Sequence, residues 1–419
     1  MKKMLISIPF SRTIRTFWET SLKDDIEKQY RLEVITKIEF NFNTIQYSYP
    51  KLNIFDKFLL KIFRLCSAIE KEQFYKDMLS NHAILLEDYY YNFLNKLKVK
   101  SYIIKVIKFF FDILKLENIL IMPYKNILKE IKPDIVYLNC PIFVEEIFMA
   151  KAANVLNIKT IFSSDGNDIF ETRPLFSSSD YYICFGYFAR KSLLRRAIPE
   201  NKMINVKNYI HEGISKYLIN KNIAKQKLGV NKDEKLIVIY EGASYVNGHE
   251  YQRNLIDILI KLIENNQICQ SKILFRSLGV GSESDIKYLQ EKYKNNKYII
   301  FTITNLSEFQ VKVTPKQYKE TALLVSATDV LFSIPSHANL EFGMFGVPSI
   351  LYSFLEQKSM LKFAMISNYV KELLQTGMCF TAETEKEICY NLQYIFDNKF
   401  NPQSMIDRFS HSTNNLKDI

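Results

Sequence analysis

The sequence lacks the features that would carry the chain across or into a membrane. No stretch reaches about 18 uncharged apolar residues, the length that a transmembrane helix needs. The opening MKKMLISIPF is apolar over too few residues for an export signal and is soon followed by Arg12 and Arg15. We therefore expect neither a signal peptide nor a membrane span, and a protein that works in the cytoplasm.

The cysteines show no arrangement typical of a metal site or a disulfide scaffold. The sequence has 6 cysteines, with no C-x-x-C pair and no histidine at the spacing of zinc ligands. Most lie among apolar neighbours, which indicates reduced cysteines that serve packing. No D-x-D pair occurs either, so the usual carboxylate clamp for a metal-bound diphosphate is missing. We expect an enzyme without bound metal.

The glycine-containing motifs of the large nucleotide-binding and hydrolase classes are also missing. Gly279-Val-Gly281 is a G-x-G without a third glycine, so it is not a dinucleotide fingerprint. The chain has no G-x-x-x-x-G-K-[ST] and no G-x-S-x-G sequence. It also has no recognition-helix, zinc-finger or RNP signature, so nucleic acid is not an expected partner.

The chain does contain two successive runs of strand–helix alternation. Buried strands such as Met4–Ile8 and Lys159–Phe162 mark the first run, and Leu236–Tyr240 and Val330–Ser333 mark the second. Such alternation predicts parallel sheets covered on both faces. We predict an α/β protein with two Rossmann-like doubly wound domains that face a cleft. The predicted segments are an N-terminal domain at 1–208 with a helical insertion at about 53–130, a linker at 209–234, a second domain at 235–397 and a tail at 398–419.

The most informative stretch is Ser326–Tyr352, which reads SATDVLFSIPSHANLEFGMFGVPSILY. It predicts a buried strand, a polar turn, a short helix and a second buried strand. With Ser336 as N-cap, the unsatisfied N–H groups of the helix are expected to face a phosphate. His337 can add a contact, and Glu341, one turn further on, can accept hydrogen bonds from two ribose hydroxyls. An ordinary βαβ turn with a capping serine explains the same spacing.

This segment and the two-domain pattern resemble the GT-B glycosyltransferases. In that fold the C-terminal domain binds the diphosphate of a nucleotide sugar at a helix N-terminus of this kind. The opening MKKMLISIPFSRTIRTFWET is similar to glycosyltransferase-like proteins of bacterial surface-polysaccharide clusters. The chain departs from better-marked families in its first loop, which has no glycines. It also has one glutamate, Glu341, where many retaining enzymes have a pair.

The resemblance implies transfer of a sugar from a nucleotide-sugar donor to a surface-glycan acceptor, either a polysaccharide or a lipid-linked glycan. It implies no cofactor, since the nucleotide sugar is a co-substrate. Two other readings stay open at this point. One keeps the fold but changes the reaction, to a nucleotide-sugar 2-epimerase or a polyol-phosphate transferase. The other is a non-catalytic nucleotide-sugar-binding protein.

The donor is expected to meet residues at the ends of strands in the second domain. Arg276, at the end of a strand, can neutralise the leaving diphosphate; a surface arginine is the alternative. Gly242 allows close backbone approach and Ser244 can cap the next helix, although a plain tight turn fits equally well. The residues that we assign to nucleotide-sugar binding are Gly242, Ser244, Arg276, Ser336, His337, Asn339 and Glu341.

An inverting transfer needs a base that faces the acceptor hydroxyl, and this base normally comes from the N-terminal domain. Asp165 follows a predicted strand in the polar run SSDGND and is the first candidate; it can instead cap a helix or form an Asx turn. Glu19 is the second candidate, with a first-turn carboxylate as the plain alternative. Arg12 and Arg15 can hold an acidic acceptor or donor.

Two predicted helices combine basic and aromatic residues, in a chain whose formal net charge is +11. Such helices suit an anionic membrane surface, and this predicts peripheral binding at the inner face of the membrane. The alternative is that the aromatic residues are core and the lysines a solvated rim. The basic residues are Lys57, Lys61 and Arg64 in the first helix, and Lys98, Lys100, Lys105 and Lys108 in the second.

Overall fold

The computed structural model of the 419-residue chain describes residues 1–9, 13–18, 20–78, 101–139, 143–164, 170, 175–241, 244–277, 283–303, 316–352 and 368–410. The chain divides into two compact units, of which the first covers Met1–Val206 and the second begins at Lys207. Each unit is built around one parallel sheet with helices between its strands. The predicted α/β class with two doubly wound units is confirmed.

The first unit has a seven-stranded sheet in the order β3-β2-β1-β4-β5-β6-β7. All neighbouring strands run parallel, and β1 pairs with β2 from Lys2↔Tyr30 to Ile8↔Thr36. Its strands are β1 Lys2–Ile8, β2 Tyr30–Thr36, β3 Gln46–Ser48, β4 Ile135–Leu138, β5 Lys159–Phe162, β6 Tyr181–Cys184 and β7 Met203–Asn205.

Helices cover both faces of this sheet. Leu5 belongs to the main apolar core, whereas Met4 and Ile6 point the opposite way along the same strand and are also fully buried. Within the described ranges, no helix is long and apolar enough to cross a membrane. The helices are α1 Ser21–Glu27, α2 Ile54–Met78, α3 Ser101–Ile113, α4 Glu117–Ile131, α5 Val144–Val155 and α6 Tyr187–Arg195, with a π-helical turn at Ile14–Trp18 and a 3-10 turn at Glu200–Lys202.

The second unit has a six-stranded parallel sheet in the order β10-β9-β8-β11-β12-β13. Its two faces lie in different cores, because Ile237 and Ile239 pack in one cluster while Leu236 and Val238 pack in another. The strands are β8 Lys235–Tyr240, β9 Ser271–Ser277, β10 Ile299–Ile303, β11 Val330–Ser333, β12 Ser349–Tyr352 and β13 Cys379–Ala382. The helices are α7 Tyr209–Ser215, α8 Lys221–Lys227, α9 Ser244–Glu264, α10 Glu283–Lys292, α11 Lys316–Ala327, α12 His337–Gly343, α13 Asn368–Leu374, α14 Glu385–Phe396 and α15 Gln403–Ser410.

Two segments that the sequence predicts as connections are folded into the second unit. Residues 209–234, predicted as a linker, form α7 and α8, and both helices pack on α11. Residues 398–410, predicted as part of a tail, include α15, whose Met405 is buried. A Cβ atom on Gly343 would lie 2.9 Å from Met405 Cε, so α15 packs directly against α12.

An ion cluster holds α8 to the amino ends of two strands. The buried Asp329, just before β11, lies 2.8 Å from the Nζ atoms of both Lys221 and Lys225. The Leu236 N–H donates to the same carboxylate at 2.7 Å, and Lys225 Nζ also donates to the Glu234 carbonyl at 2.6 Å. This cluster attaches residues 221–234 to the sheet of the second unit.

Candidate functional site

The turn between β11 and α12 is fixed by hydrogen bonds within the chain. Ser336 is the extended N-cap residue, and its N–H donates to Asn339 Oδ1 at 2.8 Å. Asn339 Nδ2 donates to Ser333 Oγ at 2.8 Å, and Tyr369 OH donates to the Ser336 carbonyl at 2.9 Å. Both ends of the Asn339 amide are thus used to hold the turn. Asn339 therefore holds the turn, and its contact with a nucleotide sugar stays a prediction.

His337 and Glu341 lie together on α12, one turn apart. The distance from His337 Nε2 to Glu341 Oε1 is 3.6 Å, and the two side chains are 12% and 8% exposed. The structure therefore brings together the residues Ser336, His337 and Glu341 at the carboxyl edge of the second sheet. This edge is where open parallel sheets bind ligands.

Arg276 lies at the same edge and is buried, with 6% of the residue exposed. Its register partner across the sheet is Tyr240. The guanidinium donates a hydrogen bond to Tyr240 OH and lies 5.0 Å from the centre of the ring. The Tyr240 ring in turn packs edge-on against Phe342 of α12, with centroids 5.4 Å apart. Arg276 is thereby linked to the helix that carries His337 and Glu341.

Within the described part of the chain, the hydrogen-bond partner of the Arg276 side chain is a neutral group. No carboxylate there forms an ion pair with the guanidinium, and its side-chain partner is the neutral phenol of Tyr240. The neighbouring Glu241, also buried, instead accepts a hydrogen bond from Ser277 Oγ at 2.8 Å. A buried cation is stable only when its charge is compensated, so this position suits an anionic ligand.

A second buried polar cluster lies at the carboxyl edge of the first sheet, and the sequence does not predict it. Glu146 of α5 is fully buried, and its Oε1 accepts from Ser7 Oγ at 2.8 Å and from the Asn139 N–H at 3.0 Å. Ser7 Oγ also lies 2.6 Å from Tyr49 OH. Burial, reinforced by the Glu146 charge, raises the pKa of Tyr49 well above its ordinary value. The cluster joins the ends of β1 and β4.

One buried amide oxygen at this edge has unused hydrogen-bonding capacity. Asn139 Nδ2 donates to Thr16 Oγ1 at 3.2 Å, but Asn139 Oδ1 makes no hydrogen bond with any residue that the structure describes. Asn139 is fully buried. Buried polar atoms are normally satisfied. A water molecule or a ligand hydroxyl can supply the missing partner.

Several predicted site residues lie outside the described part of the chain. These are Arg12, Glu19, Asp165 and Gly242. Arg15 is in the π-helical turn and Ser244 is the first residue of α9, but the side chains of both lie outside it as well. Among the described residues, no group of three or more His, Cys, Asp or Glu side chains could hold a metal ion.

No protein-family model and no curated protein matches the chain. Solved structures do match it over nearly its whole length. A putative UDP-N-acetylglucosamine 2-epimerase from Listeria monocytogenes has 10% identity and a TM-score of 0.56, covering 100% of this chain and 93% of that one. A UDP-GlcNAc 2-epimerase from Neisseria meningitidis, bound to UDP-GlcNAc, has 11% identity and a TM-score of 0.55, covering 99% and 95%.

A glycosyltransferase from Rickettsia africae is similar to the same degree. It has 11% identity and a TM-score of 0.52, and the match covers 97% of this chain and 94% of that one. At such identities the similarity shows the fold alone. The GT-B-type fold that the sequence resembles is thereby confirmed.

Proposed function

We propose that this GT-B-fold chain is a glycosyltransferase that moves a sugar from a nucleotide-sugar donor to a surface-glycan acceptor. The observation that carries the proposal is Arg276, a buried cation at the carboxyl edge of the second sheet that the described residues leave without a carboxylate. A nucleoside diphosphate supplies the missing negative charge. Its oxygens match the forked donors of a guanidinium, which bind phosphate through paired hydrogen bonds.

The rest of the donor site follows from what lies beside Arg276. His337 can donate to the diphosphate, and Glu341 can accept from ribose hydroxyls, because both lie on α12, which Tyr240 links to Arg276. Ser336, Gly242 and Ser244 are proposed to contribute backbone or hydroxyl donors at the same edge. The leaving diphosphate would then be neutralised by protein groups, and we propose that transfer needs no metal.

The acceptor side is proposed to lie on the first unit. Asp165 is the proposed base that removes the proton of the acceptor hydroxyl, with Glu19 as the second choice. Arg12 and Arg15 are proposed to contact an acidic acceptor or the donor phosphate. The described edge of the first sheet supports a hydroxyl-bearing acceptor, because Asn139 Oδ1 is a buried acceptor atom that a sugar hydroxyl could satisfy.

Replacing Arg276 by glutamine is expected to weaken binding of UDP and UDP-GlcNAc about 10- to 100-fold, since hydrogen bonds to charged groups contribute about 1.5–3 kcal/mol. Calorimetric titration measures the affinity. Arg190→Gln serves as the matched control. Arg190 lies in the first unit, where it forms a partly exposed ion pair with Glu200. His337→Ala and Glu341→Ala should weaken binding as well. Unchanged affinity in all three variants would exclude this edge as the donor site.

Epimerisation of a nucleotide sugar is the second candidate, because two of the similar structures named above are epimerases and match nearly the whole chain. Release of nucleotide from the donor distinguishes sugar transfer from epimerisation. A transferase releases UDP in proportion to added acceptor, and on our proposal it does so in EDTA. An epimerase converts UDP-GlcNAc without any acceptor. If no nucleotide sugar shifts the melting temperature of the protein, the protein is neither a transferase nor an epimerase of nucleotide sugars.

A further inference from the structure

We infer that the exposed side of α2 and α3 is a docking surface for an anionic membrane. This inference does not depend on the reaction that the protein catalyses. The surface, called here the aromatic-basic face, is formed by Phe55, Phe58, Val106, Phe109, Phe110 and Ile113, with Lys57, Lys61 and Lys105 among them. All nine side chains are exposed.

Helices α2 and α3 are apolar on two sides, of which one is used for packing. Leu59 and Phe63 of α2 and Phe111 of α3 are buried. The Phe63 ring lies 6.4 Å from Phe111 and 5.0 Å from Phe148 of α5, measured between centroids. This packing accounts for one stripe of apolar residues on each helix and holds the two helices side by side.

The other side of α3 carries a second apolar stripe. Val106, Phe109, Phe110 and Ile113 recur at helical spacing, and Phe109 and Phe110 are 58% and 55% exposed. A surface helix of a globular protein normally presents polar residues there. Several exposed apolar side chains at helical spacing mark an interaction surface, whereas single exposed apolar residues do not.

The aromatic-basic face carries net positive charge, which favours a negatively charged partner. Residues 54–67 and 103–115 contain six basic side chains and two acidic ones. Of the two acids, Asp56 is buried and accepts from the Asn53 N–H, and Asp112 is paired with Lys108 at 3.1 Å. Outward charge is therefore positive. A second copy of the chain is a poor occupant, because a symmetric contact would oppose lysines with lysines.

A bilayer with anionic lipids fits both properties. Phenyl rings enter the boundary between headgroups and acyl chains, while lysine side chains reach the phosphates beside them. Each basic residue near such a surface strengthens binding about fivefold, which corresponds to about 1 kcal/mol. On this inference, the aromatic-basic face binds the surface of the bilayer. A lipid-linked acceptor would then be reached where it is anchored.

Sedimentation of the full chain with phosphatidylcholine vesicles that contain phosphatidylglycerol tests the inference. Replacing Lys57, Lys61 and Lys105 by glutamine should lower the partition coefficient about a hundredfold. The matched control replaces the exposed lysines Lys227, Lys232 and Lys386 of the second unit and should change it far less.

Phe109→Gln together with Phe110→Gln should also weaken binding, without lowering the melting temperature, because both rings are exposed. Three outcomes would overturn the inference. The first is that wild-type protein does not sediment with these vesicles at low salt. The second is that the lysine variant binds them as well as its control does. The third is a dimer in sedimentation velocity that the phenylalanine variant abolishes, which would make the face an interface between copies of the chain.

Discussion

Replacing Asp329 by asparagine is expected to destabilise the second unit by about 3–5 kcal/mol, the usual cost of removing one partner from a buried ion pair. The side chains of Asp329 and Lys225 are almost fully buried, so the substitution leaves a buried ammonium without its counter-charge. The affected contacts join α8 to the start of β8, and chemical or thermal unfolding of the variant measures their loss. Binding of UDP, at the opposite edge of the sheet, should change little in the folded variant.

Glu291→Gln is the matched control in the same unit. Glu291 forms an ion pair with Lys294 in which both side chains are largely exposed. Exposed pairs contribute about 0–1 kcal/mol, so this variant should unfold almost like the wild type. Equal losses in the two variants would show that the Asp329 cluster does not stabilise the fold.

The pH dependence of stability gives a second measurement on the same carboxylate. Burial alone would raise the pKa of Asp329, but Lys221 and Lys225 outweigh burial and lower it below its ordinary value. A lowered pKa in the folded state means that the ion cluster stabilises the unit above the unfolded-state pKa. This stabilisation is lost as the pH falls through the folded-state pKa. Between neutral and acid pH, Asp329→Asn should therefore lose less stability than the wild type.

Asp165→Asn is expected to lower the turnover number about 10²- to 10⁴-fold, the usual contribution of a general base. Donor affinity should stay nearly unchanged, because the proposed donor contacts come from the other unit. Initial rates with saturating donor and a titration with UDP separate the two effects. Asp168→Asn, three residues further along the same polar run, is the matched control. A loss of less than tenfold would return Asp165 to a capping role and favour Glu19 as the base.

The central strands of both sheets are among those that the sequence predicts well. Lys159–Phe162 and Val330–Ser333 lie where they are predicted, because a strand buried on both faces is a short apolar run between turns. The strands β3 and β13 are missed. Both lie at sheet edges and are short. β3 has no buried residue and the burial of β13 does not alternate regularly, so neither apolar content nor periodicity distinguishes them from loops.

The candidate site could be predicted only as far as strand ends can be recognised. The position of Arg276 follows from the end of a strand, but its burial against Tyr240 depends on the pairing of two strands. Glu146 was missed because it follows Glu145 in the first turn of α5, where acidic residues are common on exposed surfaces. What distinguishes Glu146 is contact with Ser7, 139 residues earlier in the chain.

The second sheet keeps its stabilising ion cluster and its proposed ligand site at opposite edges. All strands begin at one edge, where Asp329 and its lysines lie, and all end at the other, where Arg276 and α12 lie. Substitutions at the carboxyl edge therefore leave the ion cluster intact. Residues at the two edges can therefore change independently of each other.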